Sequence, residues 1–117
     1  MTAANVEAAR RGFEAAMRGD FEAIGGMLDP GVKWHGGDPS SGCQNRDEAL
    51  NFMREALDNG LEAELVDVID ADDQVVVVLR PRGQEEPRAN LATFKNGKVV
   101  EMVAFESPAE ALAAAHP

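Results

Sequence analysis

Cysteine is nearly absent from this chain, with Cys43 the only one in 117 residues. A single thiol excludes an internal disulfide and any zinc cluster built on several cysteines. Cys43 lies in a turn-rich loop with no base close in sequence, so an inert thiol is favoured over a nucleophile. The two histidines, His35 and His116, belong to no spaced ligand set. The sequence therefore predicts no metal site and no cofactor.

Long apolar segments are also missing. No run of apolar side chains is longer than Val75–Leu79, whereas a membrane-spanning helix needs about 20 apolar residues. The first residues reach the charged Glu7 without the basic start and apolar stretch of a secretion signal. We therefore expect a soluble, cytoplasmic chain with no membrane partner.

Basic residues are few, with 11 lysines and arginines against 21 acidic residues and a net charge of −10. A field of this sign repels a nucleic-acid backbone and an anionic membrane surface. Arg10, Arg11 and Arg18 cluster in the first predicted helix, but the acidic residues around them indicate a solvated helical face. The sequence predicts no nucleic-acid partner.

The first half of the chain carries apolar residues at helical spacing. The stripe that begins it consists of Val6, Ala9, Phe13, Ala16 and Met17. It predicts a helix over 6–18 capped by Asn5, and Asp20 is positioned to cap a short second helix. Asn45 followed by Glu48 resembles a capping box and predicts a third helix.

The second half changes to the period of two that is typical of strands. Strands are predicted near 61–70, 74–82, 88–95 and 98–106. Turn residues lie between them, and Asn96-Gly97 is the strongest hairpin signal. We expect these strands to form one antiparallel meander. Val32–His35 adds a short strand before the third helix, and Ser107 is positioned to cap a final short helix.

This order of elements resembles the cone-shaped fold of ketosteroid isomerase, nuclear transport factor two and SnoaL-like polyketide cyclases. The segments that carry the resemblance are Phe13–Asp20, Val32–Gly36 and Asn96–Met102. The resemblance implies one α+β domain over residues 1–117, in which a curved antiparallel sheet wraps over N-terminal helices and forms a cavity. Because this fold hosts many unrelated functions, the resemblance does not specify the chemistry.

The isomerase branch of this fold offers a test of chemistry. Its mechanism uses an aspartate base and an oxyanion hole made of a tyrosine and a protonated aspartic acid. Matching the family's segments places Phe13 at the tyrosine, Trp34 at the base and Asn90 at the acid. Phenylalanine donates no hydrogen bond and indole accepts no proton from carbon, so only Asn90 is able to hold a carbonyl oxygen. Steroid isomerase activity is therefore not expected.

Strand parity predicts which residues line the cavity. The predicted ligand-binding residues are Phe13, Met17, Trp34, Met53, Val77, Asn90, Ala92 and Met102. The expected polar exceptions in this apolar lining are Asn90, Glu106 and the Trp34 nitrogen, a composition typical of small-molecule sites and also of a filled core.

Glu106 is the one candidate catalytic residue. A solvated glutamate is the commoner state at a strand end, but a buried Glu106 near Asn90 would be placed to act as a general acid or base. His35 alternates with Trp34, so it is expected to point to the outer face of the sheet rather than into the cavity.

Two functions stay open at this point. The first is a binding or interaction module whose cavity holds a small apolar molecule passively or is simply packed, and a buried Glu106 near Asn90 would argue against it. The alternative is a SnoaL-like enzyme, such as an isomerase, cyclase, dehydratase or hydrolase, acting on a small apolar metabolite. A homodimer is also expected, because parity places an apolar patch on the outer sheet face. That patch comprises Val76, Val78, Leu91, Val103 and Phe105.

Overall fold

The computed structural model describes residues 3–115 and has an α+β fold with four helices and five strands in that range. In chain order the elements are α1 (Ala3–Met17), α2 (Phe21–Met27), β1 (Leu28–His35), α3 (Arg46–Asp58), β2 (Ala63–Ala71), β3 (Gln74–Pro81), β4 (Arg88–Lys95), β5 (Lys98–Phe105) and α4 (Pro108–Ala115). The four strands predicted after Gly60 are confirmed to within two residues at each end. In the described chain, no helix combines the length and apolar character needed to cross a bilayer.

Three of the four predicted helix caps are confirmed. The Asp20 carboxylate accepts a hydrogen bond from the Ala23 N–H at 3.1 Å, and the Asn45 amide oxygen accepts one from the Glu48 N–H at 2.9 Å. The Ser107 hydroxyl accepts one from the Glu110 N–H at 3.3 Å. The cap predicted at Asn5 is wrong, because α1 begins two residues earlier and the Asn5 amide instead donates to the Asp72 carbonyl.

The sheet has the strand order β1-β5-β4-β3-β2. Strands β2 to β5 form the predicted antiparallel meander. The β4–β5 turn contains Asn96 at φ 54° and Gly97 at φ 80°, the left-handed conformations that this tight hairpin requires. Strand β1 pairs with β5 in parallel, so the sheet is mixed rather than antiparallel throughout. The sequence did not specify this pairing, because the two strands are separated by most of the chain.

The two faces of the sheet bury different residues. Val75 and Val77 of β3 face α1 to α3 on the concave side, whereas Val76 and Val78 face the opposite side. All four are buried, so β3 is covered on both faces. The helices on the concave side and the sheet enclose the space in which the candidate site lies.

Helix α4 covers much of the outer face that the sequence left unpartnered. Its Ala111 and Ala115 pack with Val76, Val78 and Leu91, all of which are buried within the single chain. The prediction that these three residues lie on the outer face is confirmed, but α4 of the same chain covers them, so they leave no exposed patch that would motivate a dimer. The homodimer itself stays a prediction, which sedimentation at micromolar concentration tests.

Candidate functional site

An apolar cavity of about 370 Å³ lies between the helices and the concave face of the sheet. All eight residues predicted to bind a ligand line it. They are Phe13 and Met17 on α1, Trp34 on β1, Met53 on α3, Val77 on β3, Asn90 and Ala92 on β4, and Met102 on β5. The structure confirms where these side chains lie, whereas their binding of a ligand stays a prediction.

Strand register explains why the sheet residues converge. Trp34 pairs with Met102, and Met102 pairs with Ala92, so these three side chains lie side by side on the concave face. Asn90 lies two positions before Ala92 on the same strand and pairs with Val77. Residues two apart on a strand point to the same side, which places Asn90 on the concave face as well.

The residues that line the cavity differ in how exposed they are. The floor of the cavity is defined here as the lining residues that are buried in the core: Ile24, Leu28, Val77, Ala92, Phe94 and Val99. The rim of the cavity consists of Phe52 and Leu61, which also line it but are 55% and 42% exposed. Asn90 is partly buried.

Only two nitrogen- or oxygen-bearing side chains line the cavity within residues 3–115, the Asn90 amide and the Trp34 indole. In that part of the chain neither forms a side-chain hydrogen bond to another residue. Since no enclosed side-chain nitrogen or oxygen of the described residues lacks a partner, the polar atoms of both groups must be accessible to a water-sized molecule. The lining residues therefore include one amide and one N–H donor that are not occupied by another side chain or by the backbone of the described residues.

Titratable side chains are absent from the cavity lining in the described range, which contains no Asp, Glu, Lys, Arg, His or Cys. Glu106 is exposed just after β5 and does not line the cavity. The cavity-facing position that a catalytic Glu106 would need is therefore not the one observed.

His35 lies on the outer face, as expected, and is buried with 7% exposure. Its Nδ1 accepts a hydrogen bond from the Gly37 N–H at 3.0 Å, and its Nε2 lies 2.8 Å from a carboxylate oxygen of Glu101. An accepting Nδ1 carries no proton, so this arrangement assigns the proton to Nε2, which donates to Glu101. His35 is thus fixed away from the cavity, and His116 lies outside the described residues.

Cys43 is held beside Trp34 by two backbone hydrogen bonds of 3.0 and 2.8 Å. Burial, and then the nearby Glu48 carboxylate, raise the pKa of the Cys43 thiol. A raised pKa leaves less thiolate at a given pH. The environment of Cys43 is therefore that of an inert thiol, as the sequence favoured.

The rim was missed by the sequence. The helical spacing of apolar residues along α3 favours a buried Phe52, but Phe52 is 55% exposed and its ring meets Trp34 edge-on, with centroids 5.1 Å apart and planes at 84°. Leu61 was assigned to the start of a strand, but it lies in the link between α3 and β2. Apolar periodicity identifies residues that contact the protein interior, and a cavity wall satisfies the same pattern.

Comparison with known proteins identifies the same fold. A model of the SnoaL-like domain matches residues 9–106. A protein from a soil-derived mobile gene cassette is 24% identical, with a TM-score of 0.74 and 88% of each chain covered. A candidate SnoaL-like polyketide cyclase from Jannaschia sp. is 20% identical, with a TM-score of 0.77 and coverage of 100% of this chain and 95% of that one.

A candidate ketosteroid isomerase from Kribbella flavida is 16% identical, with a TM-score of 0.76 and coverage of 89% of this chain and 78% of that one. None of the curated proteins matches the sequence. Identities this low show a common fold and leave the chemistry to be argued from the cavity itself.

Proposed function

Since this chain belongs to the SnoaL-like domain family, whose fold serves many chemistries, we propose from its cavity that it binds a small, uncharged, largely apolar molecule without transforming it. The observation that carries the proposal is the lining, in which the described residues supply hydrocarbon, thioether and aromatic groups with only Asn90 and the Trp34 N–H as polar contacts. Mostly apolar walls with a few directing groups are characteristic of small-molecule sites.

The absence of an acid or base in the described lining argues against the enzyme alternative. General acid–base catalysis requires a titratable group within hydrogen-bond reach of the reacting atoms. Phe13, Trp34 and Asn90 occupy the positions that the resemblance assigns to the isomerase's three catalytic groups, and all three line the cavity. None of them titrates near neutral pH, so an isomerase, cyclase, dehydratase or hydrolase would lack its proton carrier here.

The dimensions and polarity of the cavity limit the ligand. At roughly 30 Å³ for each water-sized group, 370 Å³ accommodates about twelve non-hydrogen atoms. Burial of the ligand's apolar surface contributes about 25 cal/mol per Å². A single carbonyl or hydroxyl oxygen would take its hydrogen bond from the Asn90 amide, with the apolar remainder of the molecule packed along Trp34 towards the floor.

A thermal-shift panel tests the ligand class. Apolar ketones and alcohols are expected to raise the melting temperature, whereas nucleotides and sugar phosphates are expected to leave it unchanged, because the lining residues between 3 and 115 include no cation. Recovery of the bound ketone by mass spectrometry after prolonged incubation should yield the compound unchanged. Stabilisation by phosphates alone would contradict the ligand class, and conversion of the ketone would contradict passive binding.

A further inference from the structure

The rim marks where the cavity meets water. Of the described residues that line it, only Phe52 and Leu61 are exposed, and the others are buried or half-buried. Exposed side chains in the lining of a cavity are expected where the cavity opens to water. Phe52 lies on α3 and Leu61 in the link that follows it, so one opening between these two residues accounts for both exposures.

The Phe52 side chain is held less firmly than the groups around it. The Phe52 ring stands against Trp34, which belongs to a sheet strand. Two backbone hydrogen bonds to Cys43 hold Trp34 on the strand edge that faces away from the rest of the sheet. The body of α3 is also anchored, because Ala49 is fully buried and Arg54 stacks over the Phe21 ring at 4.8 Å. Phe52, by contrast, is 55% exposed. Its side-chain torsions are therefore the mobile element at this opening.

We infer that the ligand enters and leaves between Phe52 and Leu61, and that the Phe52 ring, held edge-on against Trp34, is a gate that limits the rate of passage. The inference rests on the proposed binding function. Rotating the ring away gives up one edge-to-face aromatic contact and leaves the helix in place. Such contacts are weak enough to break on a fast timescale, so the gate slows exchange without sealing the cavity.

Rate measurements distinguish a gate from a simple ligand contact. Removing a contact raises the dissociation rate and leaves association nearly unchanged, which is the usual result of an interface mutation. Removing a gate raises both rates, because the same ring obstructs entry and exit. The association rate constant is therefore the decisive quantity.

The experiment uses Trp34, the only tryptophan of the chain, as the reporter. Quenching of its fluorescence by methyl naphthyl ketone, an uncharged aromatic ketone, is followed by stopped flow for the unmodified protein and for Phe52→Ala. We expect both rate constants to rise by roughly three- to tenfold, the range set by losing one aromatic edge-to-face contact. Leu61→Ala, on the other side of the opening, should raise the association rate in the same direction.

Val66→Ala is the matched control, because Val66 is similarly exposed at 49% but lies on β2 outside the cavity lining. Its two rate constants should equal those of the unmodified protein. A faster dissociation with unchanged association in Phe52→Ala would overturn the gate while leaving the binding function intact. Failure of the unmodified protein to bind any apolar ketone or alcohol would overturn both. Circular dichroism of each variant verifies that the fold is retained.

Discussion

At the scale of single residues, Asn90 is the group on which recognition of an oxygen depends. It is the only lining side chain in the described range that both donates and accepts hydrogen bonds, and no protein group competes for it there. Asn90→Ala is expected to weaken binding of an apolar ketone by about 0.5–1.5 kcal/mol, the value of one neutral hydrogen bond. Isothermal titration calorimetry measures the difference.

Asn51→Ala is the control for this prediction, because Asn51 is exposed on α3 and bonds only to Arg54 among the described residues. Its affinity should equal that of the unmodified protein. Equal affinity of Asn90→Ala for the ketone and for the hydrocarbon of the same shape would support the proposed hydrogen bond, because the ketone's advantage would have been lost. An undiminished preference for the ketone would contradict it.

Cys43 provides a second test at this scale. Because its thiol pKa is raised, the thiolate fraction near pH 8 is smaller than that of a free cysteine, and alkylation by iodoacetamide should be slower. The rate should increase with pH and reach that of a free cysteine once the chain is unfolded in denaturant. Glu48→Gln, which keeps an oxygen for the Gln44 N–H, should accelerate alkylation modestly by removing a repelling charge. Alkylation of the folded protein at the free-cysteine rate would contradict the prediction.

At the scale of elements, the position of α4 on the outer face gives a stability prediction. Ala111 is fully buried against the sheet, whereas Ala113 on the same short helix is exposed. Ala111→Asp buries an unpaired carboxylate and is expected to lower the free energy of unfolding by roughly 2–4 kcal/mol. Ala113→Asp adds the same charge in water and should change it by less than about 0.5 kcal/mol. Urea unfolding curves that coincide for the two variants would show that α4 does not pack as described.

At the scale of the whole molecule, an acidic protein with an uncharged cavity should discriminate between charge states of one ligand. The net charge is −10, and the lining in the described range contains no cationic group to stabilise an anion. A nitrophenol, which ionises near neutral pH, should therefore bind as the neutral phenol. Above the ligand's own pKa its affinity should fall about tenfold per pH unit, because each unit removes nine-tenths of the neutral form.

The methyl ether of the nitrophenol does not ionise, so its affinity should stay constant over the same pH range. Any change in that affinity would report a titration of the protein itself. Fluorescence quenching of Trp34 measures both ligands. Binding of the phenolate as tightly as the phenol would contradict the uncharged character of the site.

Local pattern in the sequence determined the elements and the facing of their side chains. Asp20, Asn45 and Ser107 cap helices through hydrogen bonds that span three residues, and the alternation along Val75–Val78 reports the two sides of a pleated strand. Such interactions join residues that are close in sequence, so the sequence alone predicts them. For the same reason strand parity alone predicts that Trp34, Asn90 and Met102 lie on one face of the sheet, the concave one.

Only the tertiary structure decided the features that depend on contacts between distant segments. Three such features are the parallel pairing of β1 with β5, the covering of Val76 and Leu91 by α4, and the position of Phe52 at the rim beside Trp34. Each depends on residues that are far apart in sequence. An apolar residue carries the same pattern whether it meets a core, another helix or an open cavity. Which of these it meets depends on how completely the elements fill the space between them, and that is a property of the packed molecule rather than of any segment.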